Sequence, residues 1–147
     1  MSQQLPFFVY GTLRRGQGNH PIVDGLLADV RDAELGGHVL YENGLPYIGA
    51  CGGGGTVTGD LLIPHPGDYD EVLHRLDRLE GFRPPHDGLY VRIACPVRFA
   101  GAPGEPWGSC QAWVYHGGGR FHYHPSLVVP GGDWAKAREM HAGSMAR

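Results

Sequence analysis

One stretch of the chain carries an unbroken helical period, and it limits the architecture more than any other feature. In Asp68 to Glu80 (DYDEVLHRLDRLE), Tyr69, Val72, Leu73, Leu76 and Leu79 recur at i, i+3, i+4, i+7 and i+10. That spacing puts apolar side chains on one helix face. Asp68 and Glu71 stand at capping-box spacing, with Asp in the place usually held by Ser or Thr. Gly81 suits the C′ position, and Pro84-Pro85 block continuation. Elsewhere 25 glycines and 12 prolines in 147 residues punctuate short apolar runs. One clear helix among many short runs predicts an α+β fold, a curled sheet or small barrel with that helix against it.

The apolar runs read as strands: Leu5 to Tyr10, Gly37 to Tyr41, Val57 to Ile63, Leu89 to Phe99 and Cys110 to His116. Pro96 implies an edge or a bulge in the fourth. Pro21 to Val30 is expected to hold one irregular helical turn, GACGGGGT a flexible loop, and Asp133 to Ala142 a short terminal helix. No repeat or linker divides residues 1–147, so a single domain is expected.

A formal net charge of −3 gives no overall attraction to nucleic acid. No apolar run approaches the roughly 20 residues of a membrane span, and no secretion signal opens the chain. Cys51, Cys95 and Cys110 are odd in number and widely spaced, which predicts reduced thiols and a cytoplasmic setting.

Glu80 is the most informative single residue. At about 100° per residue it projects at roughly +20° from Tyr69, inside the apolar stripe. Burying an unpaired carboxylate is costly, and the helix dipole disfavours an anion in the last turn. Both effects raise its pKa towards that of a proton-transfer group. The pattern also admits a solvated Glu80, or one paired with Arg83 or Arg92.

The opening stretch, LPFFVYGTLRRGQGNH, is a buried strand broken by a glycine turn. It matches neither GxxxxGK[ST] nor GxGxxG, so a phosphate loop is disfavoured. Consecutive backbone N–H groups in such a turn can still hold a carboxylate or an oxyanion. Arg14 and Arg15 lack a supporting basic face and read as incidental, solvated or closing the loop. In FHYH, His122 and His124 would share one side of a strand, but no third ligand offers itself and no metal site is expected. Tyr90 and Tyr115 fall in strands as core or rim aromatics.

Four segments together resemble the gamma-glutamylcyclotransferase-like family: FVYGTLRRGQGNH, LDRLEGF, LYVR and AWVY. The resemblance is closest to the branch of gamma-glutamylaminecyclotransferase and the butirosin-biosynthesis cyclotransferase, and it covers residues 5–117. It implies a small mixed β-barrel flanked by helices, and conversion of a gamma-glutamyl amine or amino acid to 5-oxoproline and a free amine. By resemblance, Glu80 takes the catalytic place. Tyr10, Gly11, Thr12 and Leu13 take the substrate turn, and Tyr90 and Tyr115 match pocket aromatics. The segment GFRPPHDGL is longer than expected for the amine-specific enzyme, which leaves the leaving group open. The chain from Gly118 onward matches nothing in the resemblance.

In this lyase-type reaction the substrate's own α-amine attacks its γ-carbonyl. The nucleophile is already tethered, so neither metal nor cofactor is needed. One carboxylate can take the ammonium proton and return it to the leaving nitrogen. The expected partner is a small gamma-glutamyl molecule, with monomer and homodimer both open. Two other readings stand beside this one: a non-catalytic small-molecule binding module, and gamma-glutamyl transfer to an external amine or water.

Overall fold

The computed structural model describes residues 4–50, 55–83 and 87–145. Its elements run β1 (Phe7–Val9), β2 (Leu27–Gly36), β3 (His38–Glu42), β4 (Pro46–Ala50), β5 (Thr56–Pro64), α1 (Tyr69–Leu79), β6 (Phe82–Arg83), β7 (Asp87–Gly88), β8 (Tyr90–Phe99), β9 (Gly108–Gly117) and α2 (Trp134–Met145). Short 3₁₀ turns at His20–Ile22, Pro66–Asp68, Pro125–Leu127 and Pro130–Gly132 fill the connections. Five strands close a mixed barrel in the order β1-β5-β2-β8-β9. All neighbours are antiparallel except β1 and β9, which run parallel with Phe7 opposite Trp113 and Phe8 opposite Val114. Closure leaves the barrel without a free edge.

The continuous apolar run of β1 follows from burial on both faces. Phe8 and Tyr10 join Ala33, Leu35, Leu61, Ala112 and Val114 in one core cluster. Phe7 and Val9 alternate into a second cluster with Leu62, Tyr69, Val72, Leu76, Tyr90 and Tyr115, the layer on which α1 lies. Val72 and Leu76 are fully buried there, each stabilising by about 1.5–3 kcal/mol. Leu79, placed in the apolar stripe by its period, is instead 37% exposed.

Asp68 and Glu80 flank α1 as its caps. The capping box does not form: Asp68 makes no side-chain cap bond, and Glu71 instead accepts from Arg75 Nε at 2.7 Å, one turn away. The 3₁₀ turn at Pro66–Asp68 leads directly into the helix and replaces the cap. Gly81 takes the left-handed C′ conformation at φ +64°.

Several strand readings need correction. The irregular helical turn expected within Pro21 to Val30 is the 3₁₀ turn His20–Ile22 at its very start, but the end of the stretch is strand, because β2 already begins at Leu27. β2 was missed although Ala28 to Arg31 and Asp32 to Leu35 each alternate apolar and polar residues; the phase breaks where Arg31 and Asp32 follow one another, and pairing with β5 carries the strand through. β4 was also missed, and it forms a hairpin with β3. Pro96 pairs with Gln111 of β9, while pairing of β8 with β2 occurs at Phe99 and Arg98, so Pro96 lies beyond it. Cys51 with most of GACGGGGT, and Pro84-Pro85, lie outside the described residues.

The chain after Gly118 completes the fold. Phe121 stacks on Tyr47 at 4.2 Å, and Tyr123 meets Tyr41 and Tyr47 edge-on. His122 and His124 are therefore not strand neighbours: they sit exposed in a loop whose aromatic residues dock on the hairpin. His124 is committed locally, accepting the Ser126 N–H at 3.1 Å. Among the described residues no helix is long and apolar enough to cross a membrane.

Candidate active site

β1, α1 and the tip of the β3–β4 hairpin converge on one cleft of about 620 Å³, counting the part open to solvent. Glu80, Tyr10, Gly11, Thr12, Leu13, Tyr90 and Tyr115 all line it. Residues separated by about 70 positions in the chain thus meet because α1 packs on the outer face of β1 and β9. Sequence reasoning missed the rest of the wall, above all Asn19, Leu45, Pro46 and Leu79. No local pattern marks Asn19, Leu45 or Pro46 as wall residues, and the helical period of Leu79 pointed it to the core instead.

The Gly11–Leu13 turn has an asymmetric hydrogen-bond state. Its carbonyls are all taken: Arg14 N–H donates to Gly11 O at 3.1 Å, Asn19 N–H to Thr12 O at 2.8 Å, and His20 Nδ1–H to Leu13 O at 2.9 Å. Asn19 Nδ2 also donates to Thr12 Oγ1 at 2.8 Å, fixing the loop on itself. Among the described residues no protein acceptor takes the N–H groups of Gly11, Thr12 or Leu13. Unspent backbone donors with occupied carbonyls make a local positive concavity suited to an anion or a developing oxyanion. Gly11 is required by close approach, since a Cβ there would sit 2.7 Å from Pro46 Cγ.

Arg14 and Arg15 are not incidental. Buried Asp60 of β5 accepts the Arg15 backbone N–H at 2.7 Å and its guanidinium at 3.0 and 3.2 Å. Arg15 also bonds Asp32, and Arg14 reaches Asp133 at 2.9 Å. The two arginines pin the turn to the barrel and to the start of α2. Their role was illegible because Asp32, Asp60 and Asp133 all lie far outside any local sequence window.

Glu80 is half-buried, and burial pushes its carboxyl up to about 7. Among the described residues no cation or donor side chain contacts it. Arg92 is committed elsewhere, donating to Asp77 Oδ1 at 3.0 Å while its guanidinium lies over the Trp113 ring at 4.4 Å. The surrounding phenols are held protonated: burial, reinforced by the Glu80 charge, raises Tyr10 and Tyr90, and burial with the Asp77 bond raises Tyr115. Their hydroxyls are spent, Tyr10 on Tyr115 O at 2.6 Å, Tyr90 on Pro46 O at 2.6 Å and Tyr115 on Asp77 at 2.6 Å. These tyrosines are walls and braces, and among the groups lining the cleft Glu80 is the one whose carboxyl is shifted towards neutrality.

The closed mixed barrel thus carries one cleft lined both by a carboxylate and by a turn of free backbone donors. The chain belongs to the gamma-glutamyl cyclotransferase, AIG2-like family, whose description matches residues 7–136. It is 30% identical over 140 residues, 94% of this chain and 80% of the other, to the gamma-L-glutamyl-butirosin B gamma-glutamyl cyclotransferase of Niallia circulans. An AIG2-like protein from Mus musculus superposes with TM-score 0.64 at 25% identity, over 88% of this chain and 87% of that one. YkqA from Bacillus subtilis shares the fold at TM-score 0.68 and 20% identity; 95% of this chain is covered, and it spans only 42% of YkqA. Family and relative together support gamma-glutamyl cyclotransferase activity in general terms.

Proposed function

We propose that this protein cyclises a gamma-glutamyl amine or gamma-glutamyl amino acid to 5-oxoproline, releasing the free amine. The observation that carries the reading is the pairing, across one cleft, of a carboxylate raised to about 7 with the unspent N–H groups of Gly11–Leu13. Glu80 takes a proton from the substrate's α-ammonium. The freed amine attacks the γ-carbonyl, and the turn holds negative charge on the substrate. As the tetrahedral intermediate collapses, the C–N bond to the leaving group breaks, Glu80 returns its proton to that nitrogen, and the ring nitrogen gives up its second proton to the departing amine, which leaves as the ammonium. A carboxyl titrating near neutrality is suited to both transfers. Tyr10, Tyr90 and Tyr115 shape the pocket and exclude water.

The test is product analysis. The protein is incubated with gamma-glutamyl-ε-lysine, gamma-glutamyl-alanine, other gamma-glutamyl amines and glutathione. Release of 5-oxoproline from any of them is the expected result. Glutamate would mean attack by water, and binding without turnover would mean a recognition module; either result overturns the reading.

A further inference from the structure

A second constellation of reactive side chains lies away from the cleft. His38 of β3, Cys95 of β8 and His116 of β9 bring their ligand atoms within 4.8 Å of one another. The Nε2 atoms of the two histidines are 2.9 Å apart, and Cys95 Sγ is 3.9 Å from His116 Nε2. Cys95 and His116 are 8% and 7% exposed, and His38 is half-buried at the surface. We propose that His38, Cys95 and His116 bind a thiolate-preferring d-block cation, zinc(II) in the first place, clipping the β3–β4 hairpin to the barrel wall.

The backbone dictates the histidine tautomers. His38 Nδ1 lies 2.9 Å from Gly36 O, and His116 Nδ1 lies 3.3 Å from Val114 O. A carbonyl can only accept, so both neutral rings carry their hydrogen on Nδ1. Each therefore presents a lone pair at Nε2, and the two lone pairs face each other. That arrangement needs a positive charge between them. A shared proton would supply one and leave Cys95 without a role; a metal ion uses all three groups. Carbonyl bonds to the far ring nitrogen are also the usual outer shell of a metal-binding histidine.

The dimensions suit zinc. Bonds of about 2.0–2.1 Å to nitrogen and 2.3 Å to sulfur, set tetrahedrally, put the ligand atoms roughly 3.3–3.6 Å apart. Two of the three separations, 2.9 and 3.9 Å, bracket that range, and the third, between His38 and Cys95, lies within 4.8 Å, so side-chain rotation must bring these two groups closer on binding. One sulfur and two imidazoles do not fit magnesium or calcium, which select oxygen. On binding, the Cys95 S–H bond breaks, its proton leaves to solvent and the thiolate bonds the ion. Residues alternate faces along β9, so His116 points opposite to Tyr115 and the ion stands outside the cyclisation chemistry. The far end of the clipped hairpin carries Leu45 and Pro46, two residues of the cleft wall.

The test uses the full chain, stripped with a chelator and titrated with cobalt(II). One equivalent should give tetrahedral d–d absorption and a thiolate-to-cobalt charge-transfer band, both displaced by zinc(II), and zinc(II) should raise Tm. Cys95→Ser should abolish the charge-transfer band, and His38→Ala should weaken zinc binding by more than the roughly 10–100-fold that loss of an outer-shell partner costs. The double variant His122→Ala/His124→Ala should bind as the parent does. Surface His38 tolerates substitution should Cys95→Ser fail to fold. Absence of the charge-transfer band in the parent, or zinc affinity unchanged in His38→Ala, overturns the proposal in favour of a proton shared by the histidine pair.

Discussion

Tyr115 donates its hydroxyl to Asp77 Oδ1 at 2.6 Å, joining β9 to α1 just before the helix ends. Arg92 shares the same oxygen at 3.0 Å. The two carboxylates near the end of α1 thus have opposite fates. Asp77 is saturated and structural, while Glu80, three residues later, has no hydrogen-bond or ion-pair partner for its carboxyl among the described residues. Removing the brace with Tyr115→Phe should cost about 1–2 kcal/mol. Asp77→Ala should cost more, about 3 kcal/mol, because it leaves the Arg92 charge without its partner. Chemical denaturation of both variants checks the order; equal losses would remove Arg92 from the account.

Glu80→Gln keeps size and removes the titrating proton. Turnover to 5-oxoproline should fall about 10²–10⁴-fold, with substrate binding and circular dichroism retained. Parental kcat in this variant would take the proton transfer away from Glu80.

The raised Glu80 pKa has a pH signature. The folded protein holds this proton more tightly than the unfolded chain, so the stabilising contribution is complete below about 4.5 and is lost as pH rises through about 7. Glu80→Gln should therefore raise the free energy of unfolding relative to the parent at pH 8, by on the order of 3 kcal/mol at most, and not at pH 4, with Tm moving in the same sense. In the parent, kcat/KM should climb to a plateau with an apparent pKa near 7. Tm curves that run parallel across this window would contradict a buried, titrating Glu80.

Gly11→Ala drives a methyl group to 2.7 Å from Pro46 Cγ. The turn or the hairpin tip must shift, and displaced donors lose their aim at the substrate. Activity should drop by up to about 10²-fold, out of proportion to any change in Tm. Steady-state kinetics beside calorimetry separates the two effects.

Asp60→Ala leaves Arg15, with its backbone N–H, facing an empty site, and should destabilise by about 3–5 kcal/mol. Asp60→Asn retains an acceptor and should lose less. If both variants melt with the parent, the arginines are not what holds the turn.

The helix and its misplaced carboxylate were legible because both depend on local periodicity, which the projection of Glu80 from Tyr69 captures without knowledge of the fold. Gly81 was legible for the same reason. β4 was not, since pairing with β3 rather than alternation of its own residues makes it a strand; β2 carries alternation, but in two short runs whose phase breaks between Arg31 and Asp32. Arg14, Arg15 and Asp77 acquire their roles from residues tens of positions away, so sequence spacing carries no trace of them. The meeting of His38, Cys95 and His116 is likewise a product of closure. His122 and His124 show the converse: two histidines close in the chain lie in a loop rather than on a strand, so their spacing gives them no common face.

The parallel seam between β1 and β9 imposes an order on biosynthesis. Phe7 and Phe8 emerge from the ribosome about a hundred residues before their partners Trp113 and Val114. Until then the most apolar segment near the N-terminus has β5 alone as a neighbour, and its other side stays available to chaperones or to aggregation. Tyr10 gains its acceptor, the carbonyl of Tyr115, only at this last step. A nascent chain arrested before β9 can hold the glycine turn and α1, but the cleft lacks its Tyr115 wall until the seam is sewn.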